Sequence, residues 1–358
     1  MENEKIKSLS DYKEEIHRCS KCGLCQSVCP LFELTGNECT VSRGQFIMLE
    51  GVISGKLKLS KKINHYIDLC LKCGKCSEFC PSDIDIVDIL LSAKHEYFKN
   101  SIEGEIYGFL ESKPVFNTLL KLKNILVNIF TPLKKSNTFT TKAVYFGGCV
   151  STRKTENFVT ELLNKIHIEV IKIDFGCCGM PFLTTGNTER FLEQMKENIS
   201  KLPEEIEYIV TDCASCEWMW KNYSKYTELG DVKIKSIYEL ITENEIGFIS
   251  KKKKSVTYHK PCHEKHAETI LNIIKNTENT EYRELEGMEE CCGFASYEHP
   301  ETLKTNYPLI KKKKDNIKST KSDCTLTSCA GCEMNLNLMT GGKSERLINF
   351  LRKYCKIK

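Results

Sequence analysis

Eighteen of the 21 cysteines in this 358-residue chain stand in four ordered sets, and sheet or helix packing demands cysteine at none of those positions. Two sets are runs of the form C-x-x-C-x-x-C-x-x-x-C-P: Cys19, Cys22, Cys25, Cys29 with Pro30, and Cys70, Cys73, Cys76, Cys80 with Pro81. The other two hold five cysteines each: Cys149, Cys177, Cys178, Cys213, Cys216, and Cys262, Cys291, Cys292, Cys329, Cys332. Cys39, Cys324 and Cys355 remain as free thiols. Thiolates are soft ligands that suit iron–sulfur clusters and zinc. A chain that must bring so many of them together is bound to fold around metal, and the chemistry expected is electron movement.

The two short runs read as a two-cluster ferredoxin signature. In such runs three thiolates from one loop face one iron–sulfur cube, and the fourth cysteine crosses to the other cube. The spacing therefore predicts one [4Fe-4S] cluster on Cys19, Cys22, Cys25 and Cys80, and a second on Cys70, Cys73, Cys76 and Cys29. Gly23 and Gly74 permit tight turns around the sulfides. Zinc sites with two C-x-x-C pairs use four ligands, with the pairs more widely separated.

Composition narrows the setting. A net charge of +4 gives no argument for nucleic acid, and 41% hydrophobic content supports ordinary cores. No stretch reaches the roughly 18–20 uninterrupted apolar residues of a membrane helix. Met1 to Lys13 is polar, without the apolar core of a signal peptide. The expected location is the cytoplasm, where thiols stay reduced and a disulfide framework is disfavoured.

Four segments follow: a ferredoxin-like domain over 1–100, a helical linker over 101–142, and two repeated domains over 143–250 and 251–358. Helical spacing over Ile84 to Tyr97 puts Ile86, Ile89, Leu90 and Ala93 on one face. An apolar helix is expected from about Val115 to Phe130. It reads as a packed linking helix or, because Lys121 and Lys123 accompany it, as a docking or membrane-surface helix. Pro132 to Lys142 reads as a linker.

From 143 onward the cysteines repeat, offset by 113 (Cys149 to Cys262), 114 (Cys177 to Cys291) and 116 (Cys213 to Cys329). The first copy has β-rich runs at Ala143–Phe146, Ile168–Phe175 and Tyr208–Thr211, and the second at Ser255–His259, Glu281–Leu285 and Thr325–Thr327. Helical stretches separate them, marked by Phe158, Leu162 and Ile166 and then by Leu192, Met195 and Ile199. Each copy reads as three parallel strands with helices. The fold class expected is α/β (α+β overall). In each copy the cysteines follow strand ends, and the carboxyl edge of an open parallel sheet is where ligands bind.

Five thiolates exceed the needs of one cubane. A larger or open cluster, a cubane with a spare thiol, and a structural zinc all remain open. His259 and His263 flank Cys262 and read either as proton donors or tuning groups at a cluster, or as ordinary loop residues. There is no G-x-G-x-x-G fingerprint for flavin or nicotinamide. Gly342-Lys343-Ser344 lacks the required glycine at 337, which is Asn337. The Lys251–Lys254 and Lys311–Lys314 runs read as solvated turns or helix faces, and Trp218 and Trp220 as core or interface residues.

The Cys-Cys-Gly segments, GCCGMP at 176–181 and ECCGFA at 290–295, lie in two copies behind a two-cluster ferredoxin domain. In this the chain resembles the glycolate oxidase iron–sulfur subunit and D-type heterodisulfide reductase subunits over nearly its whole length. Ser42-Arg43-Gly44, Tyr258-His259, Pro261-Cys262-His263, Tyr297 and His299-Pro300-Glu301 carry the glycolate oxidase likeness. In that subunit the last motif of each copy often has one cysteine. Here both Cys213/Cys216 and Cys329/Cys332 are complete, and Lys260 stands where relatives usually have Asp. The resemblance to the reductase implies a noncubane [4Fe-4S] cluster on each five-cysteine set.

What the resemblance implies is an electron-transfer subunit serving a separate FAD-linked 2-hydroxy-acid dehydrogenase of glycolate or lactate type, or another redox protein. It also implies an alternative, cleavage of a disulfide at noncubane clusters. A zinc-bearing scaffold in a redox complex is the third expectation. The segment 115–130 is the expected partner or quinone-side contact.

Overall fold

In a computed structural model of the chain, the structure describes residues 7–102, 104, 111–112, 141–298 and 300–358. The expected helix over 115–130, most of the linker after Pro132, the first residues of the N-terminal lead and His299 lie outside the described residues. The described residues fall into two compact units. One gathers those within 1–112, 181–191 and 290–313, the other those within 113–180, 192–289 and 314–358.

The first unit is helical where it carries the two short cysteine runs. Its main helices there are Ser42–Ile53, Lys61–Asp68 and Ile86–Lys99. Capping explains where two of them start: the Ser60 hydroxyl accepts from the Ile63 N–H, and the Asp85 carboxylate accepts from the Asp88 N–H. Ile86, Ile89, Leu90 and Ala93 are all buried, as their spacing predicts, and pack with Ile16, Phe46, Leu49 and Ile67. Between two of these helices the buried Lys94 ammonium meets Asp68 at 2.8 Å. Asn64 donates to the same carboxylate, so neither charge is buried without a partner.

The second unit holds two sheets with one strand order. In the first, β1 (Thr141–Phe146), β2 (Ile168–Ile171), β3 (Tyr208–Thr211) and β4 (Lys233–Ser236) pair in parallel in the order β2-β1-β3-β4. In the second, β5 (Phe248–Tyr258), β6 (Glu278–Tyr282), β7 (Cys324–Thr327) and β8 (Ser344–Arg346) follow the order β6-β5-β7-β8. A short β9 (Cys355–Ile357) runs antiparallel to β5. One cluster of buried side chains spans both sheets, from Ala143, Val159 and Leu162 to Ile270, Leu326 and Phe350.

The α/β class and the parallel repeat are as the sequence predicts, with corrections in detail. Each copy has four parallel strands rather than three. The unforeseen β4 and β8 are four and three residues of largely polar sequence, too short for any alternation to register. Lys251–Lys254 lie within β5, where the pairing with β6 shifts register between Ile249 and Lys254, and not in a turn or helix. Gly342-Lys343-Ser344 leads from a helix into a strand, the reverse of a phosphate-binding loop. Cys324 and Cys355 are buried parts of the second sheet's core. Among the described residues no helix is long and apolar enough to cross a membrane.

Candidate metal centres

In the first unit each short cysteine run is bent by its own residues. Lys21 (φ 57°) and Gly23 (φ 86°) bracket Cys22 in left-handed backbone, and Lys72 (φ 53°) and Gly74 (φ 78°) do the same for Cys73. The two glycines start one-turn helices, Leu24–Ser27 and Lys75–Glu78. The sulfurs are thereby turned inward around two hollows. Cys19, Cys22, Cys25, Cys76 and Cys80 line the first, of about 400 Å³ including its open mouth. Cys29, Cys70, Cys73 and Cys76 line the second, of about 410 Å³. Cys80 from the second run thus borders the first hollow, and Cys29 from the first run borders the second.

Ser42-Arg43-Gly44 gains a physical account here. Ser42 lines both hollows, and its hydroxyl hydrogen-bonds the sulfurs of Cys25 and Cys76. The Arg43 backbone N–H also reaches Cys25. A Cβ on Gly44 would stand 2.1 Å from the Glu38 carbonyl oxygen, so only glycine fits. Burial pushes the Cys73 thiol up, and the Cys76 thiol up to about 12. Among the described residues no carboxylate lines either hollow. Soft sulfur donors without hard oxygen ligands suit an iron–sulfur group rather than a hard cation.

In the second unit the cysteines stand at strand ends. β1 runs into Gly147-Gly148-Cys149, β3 into Asp212-Cys213, and β2 is followed by the Cys177–Cys178 pair. Because β1, β2 and β3 are parallel, these ends share one edge. Sulfur contacts run Cys149–Cys177–Cys178–Cys216–Cys213, so all five thiols of the first set meet. Gly148 permits this: its φ is 67°, and a Cβ there would come within 3.0 Å of the Cys216 sulfur. Asn198 donates to the Cys177 carbonyl at 2.8 Å and the Tyr223 hydroxyl to the Cys178 carbonyl at 2.9 Å, fixing the adjacent pair from beneath. Hydrogen bonds from the Cys177 and Cys216 thiols hold Cys178 down to about 6. Five sulfurs in contact exceed the four of a structural zinc.

The same chain of sulfurs continues into the second copy. Cys213 caps the helix Ala214–Tyr223, and Cys329 caps the helix Ala330–Thr340. The two helix starts meet. The Ala330 N–H donates to the Cys213 sulfur at 3.4 Å, the Ser215 hydroxyl lies 3.1 Å from the Cys329 sulfur, and the Ala214 N–H donates to the Ser328 carbonyl at 2.8 Å. Cys213 and Cys332 both contact the Cys329 sulfur, and their hydrogen bonds hold it well below the ordinary thiol range. Two positive helix ends directed at one group of sulfurs favour the anionic form there.

Of the remaining sequence candidates, His263 stacks on Trp218 with ring centroids 4.8 Å apart. His259 is fully buried, its backbone N–H bonded to the Leu326 carbonyl. Cys262 lies in this second unit, whereas Cys291 and Cys292 group with the first. There Cys291 packs with Leu31, Leu69 and Leu71 beside Cys29, and it is close enough to Cys73 for their charges to interact.

Residues 15–84 match the family described as 4Fe-4S dicluster domain, and residues 143–221 and 256–337 each match the family described as Cysteine-rich domain. The chain is an iron–sulfur protein with one dicluster domain and two cysteine-rich domains. Three relatives align with it over nine-tenths of its length. An iron–sulfur protein of Methanocaldococcus jannaschii is 25% identical over 90% of this chain and 68% of its own. The probable glycolate oxidase iron–sulfur subunit of Bacillus subtilis is 21% identical over 90% of this chain and 89% of its own. One component of the CoM/CoB fumarate reductase of Methanothermobacter marburgensis is 22% identical over 91% of this chain and 69% of its own.

The dicluster domain and the cysteine-rich domains also use residues that composition and spacing pass over. Asn198 and Tyr223, which hold the Cys177–Cys178 carbonyls, lie on helices far along the chain and give no local signal. Ser42 was visible only as part of a motif, without a role.

Proposed function

We propose that the chain is the electron-relay subunit of a redox complex whose partner is an FAD-linked dehydrogenase of 2-hydroxy acids such as glycolate or lactate. In this reading Cys19, Cys22, Cys25 and Cys80 hold one [4Fe-4S] cluster, and Cys29, Cys70, Cys73 and Cys76 hold another. Cys149, Cys177, Cys178, Cys213 and Cys216 hold a third, of noncubane type. By the repeat, Cys262, Cys291, Cys292, Cys329 and Cys332 hold a fourth. Each cluster, when bound, stores and passes single electrons. The chain's own part is to wall off the sites and to supply N–H and O–H donors to the sulfurs.

One observation carries the relay reading. Cys291, from the second five-cysteine set, lies beside Cys73 of the second hollow within one compact unit, so a thiol of the one kind of set stands against a site of the other. The hydroxy-acid partner is supported by the similarity to the Bacillus subtilis glycolate oxidase subunit over 89% of that protein. The location proposed is the cytoplasm, where thiolate ligands stay reduced.

A second reading is favoured by the meeting of Cys213 and Cys329. In it the two cysteine-rich sites bind the two sulfurs of one disulfide, R–S–S–R, which two electrons and two protons take to two thiols, R–SH. The relay of electrons is common to both readings, and they differ in the final acceptor.

The test is anaerobic purification followed by iron counting and turnover. About 16 irons per chain are expected if all four sites are filled, and about 8 with zinc in the scaffold case. Copurification with a flavoprotein, and reduction of this chain when that flavoprotein meets a 2-hydroxy acid, supports the relay. Disulfide reduction by this chain alone, with a reduced viologen dye as donor, supports the second reading and sinks the first as stated.

A further inference from the structure

Arg346 ends β8 and caps the helix Leu347–Tyr354. It is 1% exposed. Its Nη1 donates to the Asp212 carboxylate at 2.8 Å, its Nε to Glu333 at 3.2 Å, and its Nη2 to the Val150 carbonyl at 3.3 Å. Its backbone N–H adds a bond to the other Glu333 oxygen at 3.1 Å. Each partner is next in sequence to a cysteine of the five-cysteine sets: Val150 follows Cys149, Asp212 precedes Cys213, and Glu333 follows Cys332. One side chain therefore grips two cysteine loops of the first copy and one helix start of the second. Tyr145 completes the network, donating its hydroxyl to the second Asp212 oxygen at 2.8 Å.

The repeat makes the design specific. At the positions of Tyr145 and Asp212 the second copy has Tyr258 and Ser328, with the hydroxyls 3.2 Å apart. Glu217, which follows Cys216 as Glu333 follows Cys332, meets His266 at 2.8 Å instead of an arginine. The polar pair at the equivalent place in the second copy is thus neutral, whereas the Asp212 network is braced by a guanidinium, whose charge is permanent and whose planar fork fixes several acceptors at once. A buried arginine persists only where its charge is matched, and Asp212 and Glu333 supply that match.

We propose that Arg346 is a positioning residue: it holds Cys149, Cys213 and Cys332 in one arrangement, so that a single side chain sets the cluster-binding geometry of both cysteine-rich domains. This rests on the cysteines being cluster ligands, and the test separates the two claims. Wild type, R346K and R346Q are reconstituted anaerobically, and iron content and EPR-monitored midpoint potentials are measured, with the dicluster signals as the internal control for folding. In R346Q, iron should fall from about 16 toward about 8 per chain, or the potentials of both cysteine-rich sites should move together while the dicluster signals stay unchanged. R346K keeps the charge and should recover the iron while leaving both signals broadened. R346Q indistinguishable from wild type, or altered at one cysteine-rich site alone, overturns the proposal.

If wild type itself takes up only about 8 irons, the cluster reading fails. The same preparations then decide the positioning claim by alkylation mapped to single cysteines. Cys149, Cys213 and Cys332 should react several-fold faster together in R346Q than in wild type, with Cys355 unchanged. Equal rates overturn it.

Discussion

In the dicluster domain residues between the ligands aim the sulfurs by themselves, whereas in the cysteine-rich domains a local bend such as that at Gly148 brings sulfurs together only because separate strands and helices carry them. Lys21, Gly23, Lys72 and Gly74 take left-handed backbone within one or two residues of a cysteine. Left-handed lysines cost about 1 kcal/mol or more each, and they persist because the turn cannot otherwise aim three sulfurs inward. By contrast Cys149, Cys178 and Cys213 follow three different strands, and their approach needs β1 to pair with both β2 and β3. The first kind of site is specified locally and the second by the sheet. Damage far along the chain should therefore spare the first and dissolve the second.

Removing ligands tests that contrast most forcefully. Cys213→Ala should empty a cysteine-rich site and disturb the neighbouring copy, because Cys213 also contacts Cys329, while both dicluster signals remain. Cys80→Ala should remove about four irons and the same EPR signal as Cys19→Ala. If it instead removed the signal lost in Cys70→Ala, the sharing of runs between hollows would be wrong. Iron analysis with EPR reads both.

Gly44→Ala comes next in size. The added Cβ meets backbone at 2.1 Å, so the strand of chain at Glu38 must move, at a cost of about 1–3 kcal/mol or more. The loss should show in urea denaturation and fall on the dicluster domain. Asn198→Ala should cost about 1–3 kcal/mol, because the Cys177 carbonyl loses its donor. That effect belongs to the cysteine-rich domain, although residue 198 lies 21 positions from Cys177.

Ser42→Ala should be subtler. The hydroxyl hydrogen is one donor shared between Cys25 and Cys76. Losing a bond of about 0.5–1.5 kcal/mol should lower the dicluster potentials by roughly 20–60 mV for one electron, with the cysteine-rich signals unmoved. A shift confined to the cysteine-rich signals would contradict the placement of Ser42.

The smallest effect is in pH. The Glu217 hydrogen bond raises His266 above its ordinary 6.5. Burial raises Glu217, yet hydrogen bonds from His266 and Lys221 hold it below its ordinary 4.5. The raised His266 contributes stability that is complete below 6.5 and fades as pH climbs through its folded value. The depressed Glu217 contributes stability that is complete above 4.5 and fades as pH falls through its folded value. The pair should stabilise most between those limits, and His266→Gln should flatten that plateau in urea midpoints measured across pH. An unchanged profile would show the pair to be inert.

Much of the fold was readable because its signals are periodic. Ile86, Ile89, Leu90 and Ala93 announced their helix, and the offset between Cys149 and Cys262 announced the repeat. β4 and β8 escaped because four and three residues carry too little pattern. The cysteine runs were legible as ligand-like sets. Asn198, Tyr223 and Arg346 were not, since a polar residue on a helix or at a strand end looks the same whether or not its partner is a distant carbonyl or carboxylate.

By itself the sequence determined that this protein carries iron–sulfur chemistry on a helical dicluster domain and two parallel-sheet repeats, because ligand spacing and hydrophobic period are written in consecutive residues. Only the tertiary structure decided that Cys213 meets Cys329, that Ser42 stands between two hollows, and that Arg346 grips three cysteine-bearing segments. Those contacts join residues separated by up to 196 positions, and no local pattern encodes a partner that folding alone brings near.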